Sequence, residues 1–357
     1  MKDIIIIGGG VAGMAIAWEA QKRGYTALLL EKDSCGGGAS QASAGILSPA
    51  GKSCGDPELN KLCWEGIRMF PGWVKDLMEM SDSDPDLQME GVFYPEEEGL
   101  PKRIESLESV HVKHSWLSSE DIEKNFSWLG VDRVVLIEDE GRINPRKLMY
   151  LLKDALVAKE VDIRENSEVL KISKHQNGWE VSLKGGESFK SDKIAMCTGA
   201  WAKGVEGWVP PVKPMRGQLI ELFGEGEGFP THTVHGEAAY MVPQSGNYWI
   251  GGIVQDRGFD DSIDKKTLFQ KVATMTRWVP GFARAKLGEA WCGFRPGSPD
   301  DRPIIGEKEG LEGIFWATGL FRNGVSLSPI VAKKFISWMK GEFDSSLNSP
   351  FSPNRFS

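Results

Sequence analysis

Residues Lys2 to Ile7 form an isoleucine-rich run that ends directly on Gly8, Gly9 and Gly10. A short β-branched run without polar alternation fits a strand buried on both faces of a parallel sheet. Val11 to Arg23 then reads as a helix, Gly24 closes it, and Thr26 to Leu30 supplies a second buried strand. This is a βαβ unit of the usual size. Its first turn carries Gly8, Gly10 and Gly13 in the spacing G-x-G-x-x-G. Gly8 permits a tight turn, Gly10 lets backbone approach a pyrophosphate, and Gly13 lets the helix pack close to the strand. A pyrophosphate would rest on the helix N-terminus, where N–H groups and the dipole favour anions. Glu31 ends the second strand, 18 residues past Gly13, as an acceptor for ribose hydroxyls. Its charge disfavours NADP, whose extra phosphate it would repel. A lone glycine pattern can be merely steric. Strand, glycines, helix, strand and acid in this order predict dinucleotide binding.

The rest of the chain limits the alternatives. It has 357 residues, 41% hydrophobic and 26% charged, which suits a globular protein of one large or two associated domains. A net charge of -8 without a dense basic block argues against nucleic acid as a partner. No apolar run is long enough for a bilayer span, so no stable membrane insertion is expected. Met1-Lys2 and the isoleucines lack a small-residue cleavage site, and the expectation is a cytoplasmic chain beginning near Met1. Cys35, Cys54, Cys63, Cys197 and Cys292 are scattered, odd in number and free of any CxxC pair. That suits reduced thiols. His111 and His114 stand in what reads as a polar surface loop, and no metal is assigned.

Beyond the first unit, Leu59 to Met80 has helical periodicity, and Asn144-Pro145 opens a helix through Lys159. Strands are expected at 88–94, 133–138, 161–165, 168–173, 179–183, 193–197, 218–223, 239–242, 248–254 and 314–317. Asp264 caps a helix to Val279, and a last helix is expected from Ser328 to Lys340. The fold class is α/β: a Rossmann-like cofactor domain with a second, mixed β-sheet substrate domain. The two interleave, with 1–84, 144–204 and 291–345 in the first and 85–143 and 205–290 in the second.

The fingerprint alone does not separate NAD from FAD. Two features favour FAD. The small-residue loop from Gly36 to Pro49 follows the acid closely enough to pass beneath an extended ligand, with Ser40, Gln41 and Ser43 as hydrogen-bonders. Near the C-terminus, Gly319 to Ser328 places a glycine-bearing turn before a helix, which could support negative charge on a reduced flavin.

GGGVAGMAIAWE, ASQASAGILSP, WCGFRPGSPDDRPIIGE and ATGLFRNGVSLSP together resemble the D-amino-acid oxidase family, and within it the glycine oxidase branch. PMRGQL at Pro214 to Leu219 and YMVP at Tyr240 to Pro243 extend the likeness over almost the whole chain. The resemblance implies a GR2-type FAD site. It implies cofactor contacts from Val11, Ala12, Lys32, Ala39, Ala44, Gly45, Ile46 and Leu47. Further contacts would come from Val169, Thr198, Gly199, Trp201 and Gly293, and near the C-terminus from Arg322, Asn323, Gly324, Val325 and Ser326. It further implies hydride transfer from a substrate Cα to flavin N5 and reoxidation by oxygen. The imine would hydrolyse to an oxo acid and ammonia or pass to thiazole synthesis for thiamine. Arg295 would clamp the substrate carboxylate, Tyr240 would add a hydroxyl to it, and Arg322 would sit at flavin and substrate. A homo-oligomer, as a homotetramer, is implied too.

The residues support the clamp on their own. A planar guanidinium binds a carboxylate bidentately, and a chain of net charge -8 needs a local cation to attract an anionic amino acid. One departure stands out. The glycine oxidase pattern has a histidine two positions before the tyrosine, where this chain has Ala238; His235 is nearby but out of register. Cys292 is read as a buried free thiol, not a covalent flavin anchor. A dehydrogenase serving a quinone or carrier, an inactive FAD-binding scaffold and an NAD-linked dehydrogenase are the competing readings.

Overall fold

The computed structural model describes residues 2–51, 55–108, 110–176, 178–202, 204–342 and 349–356. Cys54 and the end of the expected cofactor-domain segment at 343–345 lie outside the described residues.

Strand β1 (Ile4–Ile7), helix α1 (Val11–Lys22) and strand β2 (Ala27–Leu30) form the expected opening unit, with the strands parallel and Ile4 opposite Ala27. They lie inside a six-stranded sheet with Ile194–Met196, Ile314–Thr318, Ile304–Glu307 and Asp162–Arg164. Strand alternation divides the core cleanly. Ile4, Ile6, Ala27 and Leu29 face the helices, packing with residues such as Ala15, Leu148 and Val331. Ile5, Ile7, Leu28 and Leu30 face the other way, onto Ile172, Trp179 and Val181 of a three-stranded antiparallel sheet. Every residue of β1 and β2 is buried, which is why their sequence shows no polar alternation.

An eight-stranded mixed sheet is assembled from Lys286–Gly297, Lys213–Phe223, Asn247–Gly251, Tyr240–Gln244, Thr233–His235, Val92–Pro95, Val134–Ile137 and His114–Leu117, in that order. The strand Lys286–Gly297 pairs along its length with Lys213–Phe223. The boundary expected at 291 therefore cuts a strand. Its GFRPG segment lacks the alternation that would betray a strand, and long-range pairing decides its conformation. We propose the two sheets as the cores of two interleaved domains, with this boundary moved past Gly297. His114 is another correction: it begins an edge strand, where Lys113 N–H donates to Asp139 Oδ2 at 3.0 Å.

The last helix runs Gly324–Met339, one turn earlier than expected. Ser328-Pro329 looks like a helix start because proline suits a first turn. Inside a helix, however, Pro329 cannot donate to the carbonyl of Val325. Ser328 Oγ replaces that bond, donating to Val325 O at 2.8 Å. Asn144 and Asp264 cap their helices as expected, accepting from Lys147 N–H and Thr267 N–H at 3.0 Å each.

What fixes α1 on β1 is a missing side chain. A Cβ built on Gly13 would stand 1.9 Å from the Gly8 carbonyl oxygen, and one on Gly8, at φ +107, would stand 2.3 Å from Cys197 O. Gly13→Ala should thus push the helix off the strand turn, at a cost of about 1–3 kcal/mol from overpacking. The urea midpoint of unfolding measures this, and an unchanged midpoint would show that the helix is not seated so tightly.

Candidate functional site

A cleft opens where the end of β1, the start of α1 and the end of β2 meet the strands Lys213–Phe223 and Lys286–Gly297. Gly8, Gly10, Val11 and Ala12 line it with Glu31 and Lys32. The first turn of α1 thereby presents backbone, not side chains, to the space. Ser40 Oγ accepts from Val11 N–H at 3.0 Å, so the small-residue loop caps the helix that the glycines bring close. Glu31 holds the same turn from the other side. Its Oε2 accepts from Gly9 N–H at 2.7 Å and its Oε1 from Asp33 N–H at 3.0 Å. A carboxylate oxygen has two lone pairs, so these bonds orient the group and leave capacity for hydroxyls.

Gly36, Gly37, Gly38, Ala39, Ser40, Ala42 and Ser43 continue the lining, as do Val169, Thr198, Gly199 and Trp201. Gly199 adopts φ +55, and its carbonyl accepts from Thr318 Oγ1 at 2.9 Å, which ties this turn to the neighbouring strand. Trp201 carries Lys32 Nζ over its ring at 4.3 Å and stacks on Phe259 at 5.1 Å.

The second sheet contributes the cation. Gly217 and Gly293 lie opposite one another on paired strands and both line the cleft. Arg295 lies across Gly217 so closely that a Cβ there would come within 2.0 Å of its guanidinium. Arg295 Nη1 donates to Ile253 O at 2.9 Å, which fixes the plane of the fork. Arg322 enters from the turn before the last helix, its guanidinium 5.1 Å from the Phe321 ring. Phe321 holds φ +45, in the left-handed region that costs a bulky residue on the order of 1–3 kcal/mol. Such strain persists where the surroundings demand it, and here it aims Arg322 into the cleft. Tyr240 stands behind Leu219, off the lining itself, with its phenol close enough to Arg295 and Arg322 to feel both charges. Burial pushes its phenol up, against the opposing pull of Arg295 and Arg322. The group is thus a neutral O–H donor at ordinary pH.

Several expected contacts lie off the lining. Ala44 and Ile46 pack behind it, against the lining residue Leu219 and with Val242 and Trp249, and Ile46–Leu47 pairs with Gly141–Arg142. Gly45, at φ +75, is pressed against Ile143 O, where a Cβ would stand at 1.9 Å. Gly13 lies on the face of α1 pressed against the Gly8 carbonyl, off the lining. Gln41 folds back, its N–H donating to Gly36 O at 3.2 Å. Asn323 and Ser326 are buried in the turn, with Ser326 Oγ donating to Asn323 O at 3.1 Å, while Gly324 and Val325 do line the cleft. Cys292 is half-buried and points away, its Sγ 3.5 Å from Asp261 O. Strand alternation explains this, because Gly293 and Arg295 take the cleft face. Cys197 is the thiol that lines the cleft, and burial raises it so that it stays protonated. Cys35, under the fingerprint, is pushed up to about 12 by burial and by Glu165 and Glu31.

Sequence reading missed Gly217, Leu219, Pro296 and Phe321 as lining residues. The one available signal was a glycine inside a strand, which marks close approach of a ligand or another chain segment. The backbone cradle at Gly8 and Gly10, the small-residue wall and the oriented Glu31 fit FAD, with the pyrophosphate at the α1 terminus and ribose hydroxyls at Glu31. No group of three or more potential metal ligands occurs among the described residues. None of their helices is long and apolar enough to cross a membrane.

Known proteins agree with this geometry. A family model described as DAO, FAD dependent oxidoreductase, matches residues 3–338. The bifunctional protein ThiO/ThiG of Synechocystis sp. is 29% identical over 365 residues, covering 99% of this chain and 54% of the relative. Glycine oxidase of Geobacillus kaustophilus is 26% identical over 340 residues, covering 92% of this chain and 90% of the relative. This chain therefore spans about half the length of the bifunctional relative and most of the other. The crystal structure of glycine oxidase from Geobacillus kaustophilus superposes with a TM-score of 0.92 at 25% identity, covering 100% of this chain and 99% of that one. Because the family match runs unbroken from β1 into the last helix, both sheets and the cleft between them fall inside it, and the chain belongs to the DAO family of FAD dependent oxidoreductases.

Proposed function

We propose that this chain oxidises glycine, sarcosine or small D-amino acids, with oxygen as electron acceptor and hydrogen peroxide as product. The observation that carries the reading is Arg295, laid flat across Gly217 in the cleft with the Tyr240 phenol within reach of its charge. FAD, held by the Gly8 to Ala12 turn and Glu31, supplies the two-electron acceptor for the substrate Cα–H bond. The protein's part is alignment. Arg295 keeps one N–H on Ile253 O and offers the rest of its fork to a carboxylate. Tyr240 donates its O–H to the same carboxylate. Arg322 adds a second positive charge, which offsets the cost of bringing an anion into a partly desolvated space. An amine that arrives neutral needs no nucleophile from the protein. The imine then hydrolyses to oxo acid and ammonia or passes to thiazole synthesis, a role supported by the names of the ThiO/ThiG relatives. Scattered thiols support a cytoplasmic setting, and the family resemblance supports a homotetramer.

Anaerobic addition of glycine, sarcosine and D-alanine should bleach the flavin absorbance, and admitting oxygen should restore it with stoichiometric peroxide. Bleaching that only an artificial acceptor reverses would assign a dehydrogenase instead. No bleaching by any of the three would defeat the proposal. Arg295→Met should cost roughly 3–5 kcal/mol in transition-state stabilisation, because it removes both charge and fork. Arg295→Lys keeps the charge and should lose less. Both variants should retain FAD, and amines lacking a carboxylate, such as methylamine and dimethylamine, should respond little. If kcat/KM fell equally for glycine and methylamine, Arg295 would not be the clamp.

Tyr240 gives a pH test. A phenol raised above its ordinary range stays protonated well into alkaline solution, so its ionisation does not set the alkaline limb of kcat/KM. Tyr240→Phe should lower kcat/KM by about tenfold, the worth of one hydrogen bond to a charged group, at every pH up to 10. The apparent alkaline pKa should stay in place. A shift of that limb in the variant would show that Tyr240 titrates within the range measured.

A further inference from the structure

Tyr240 does not stand alone. The hairpin that joins Thr233–His235 to Tyr240–Gln244 sets His235 directly opposite Tyr240. Their rings stack at 5.7 Å between centroids with 22° between planes. On its other side His235 meets the Tyr94 ring at 5.5 Å and 35°. The imidazole is only 7% exposed, and a Cβ on Gly51 would come within 2.6 Å of its Cε1, so backbone closes the third side. Both supports are themselves fixed. Glu140, fully buried, accepts from Tyr94 OH at 2.6 Å and from Ala50 N–H at 2.8 Å, and Ser48 Oγ also bonds the Tyr94 hydroxyl. A single carboxylate thus holds Tyr94 and the Ala50-Gly51 backbone. Ala238, two residues before Tyr240, is exposed in the hairpin, with its carbonyl accepting from Lys271 Nζ at 2.6 Å.

We propose that His235 is a positioning residue for the carboxylate pocket: clamped between Tyr94 and Tyr240, its ring sets the plane of Tyr240 and thereby the aim of the Tyr240 hydroxyl at Arg295. A phenol ring turns about its χ2 in a broad well, so a hydroxyl at its tip keeps one direction only if flat neighbours hold the ring. His235 supplies that neighbour from the adjacent strand, whereas position 238 points to solvent. Its ring touches Tyr240 and not the cleft lining, so it acts through Tyr240. The consequence is substrate selectivity. Removing the ring weakens binding of a small carboxylate without slowing flavin reduction at saturation.

The inference rests on the amino-acid reading above, and the test separates the two. Holoenzyme is titrated with glycolate, a small carboxylate of glycine's shape, and binding is read from the perturbed flavin absorbance without turnover. In His235→Ala the Kd for glycolate and the KM for glycine should rise roughly tenfold, with kcat held within about twofold. His235→Phe restores a flat ring and should recover most of the affinity, while methylamine should be indifferent to both. In a Tyr240→Phe background His235→Ala should add nothing further to KM. If His235→Ala fails to fold, Gly51→Ala, which displaces the imidazole, should reproduce the same split. An unchanged Kd in His235→Ala, an equally impaired His235→Phe, or an undiminished effect in the Tyr240→Phe background would overturn the proposal. Wild-type protein that neither binds glycolate nor bleaches with any amino acid overturns the amino-acid reading itself.

Discussion

The contact between Gly13 and the carbonyl of Gly8 is the constraint on which the rest of the site depends. With no Cβ in the way, α1 begins within van der Waals reach of the end of β1, and its first N–H groups face the cleft. Those groups cannot be satisfied within the helix. Ser40 takes one, and Glu31 holds Gly9 beside them, so the turn is braced on both sides before any ligand arrives. A carboxylate placed there fixes the strand turn and remains available to hydroxyls. Structural and ligand roles coincide in one side chain.

The second requirement is that another sheet deliver positive charge to this cradle without filling it. Paired glycines at 217 and 293 keep the facing strands low, and Arg295 uses the room to lie flat. The guanidinium is then desolvated on one face and held by Ile253 O at its rim, an arrangement suited to planar, bidentate recognition. Arg322 arrives on a strained turn of a different element, so neither cation depends on the other's backbone. The local field at this end of the cleft opposes the chain's net charge of -8. That is how an acidic protein can draw in an anionic substrate.

Much of this was legible in the sequence, for identifiable reasons. The opening βαβ unit, the roles of Gly8, Gly10 and Gly13 and the place of Glu31 follow from local rules, because close approach and tight turns leave glycines that nothing else explains. Helix caps at Asn144 and Asp264 were readable for the same reason: a side chain bonding three residues ahead leaves a fixed spacing. Arg295, Tyr240 and Arg322 could be singled out by chemistry and by resemblance to a family. Their convergence could not be read, since they sit on two strands and a turn that meet only when the large sheet closes.

What the sequence by itself determined is therefore the cradle, built from neighbours in the chain whose geometry is set by sterics over a few residues. Tertiary structure decided the face of each strand that meets the cleft, and with it the fate of Cys292, Ala44 and Ile46, which turned away or fell behind the wall. It also decided that Ser328-Pro329 lies inside a helix, because a serine hydroxyl there replaces the amide that proline lacks. And it decided that His235, out of register along the chain, stands directly across from Tyr240. A residue's partners along a strand are fixed by peptide geometry, but its partners across a sheet depend on register, which is set by the turn and by the packing of the whole face.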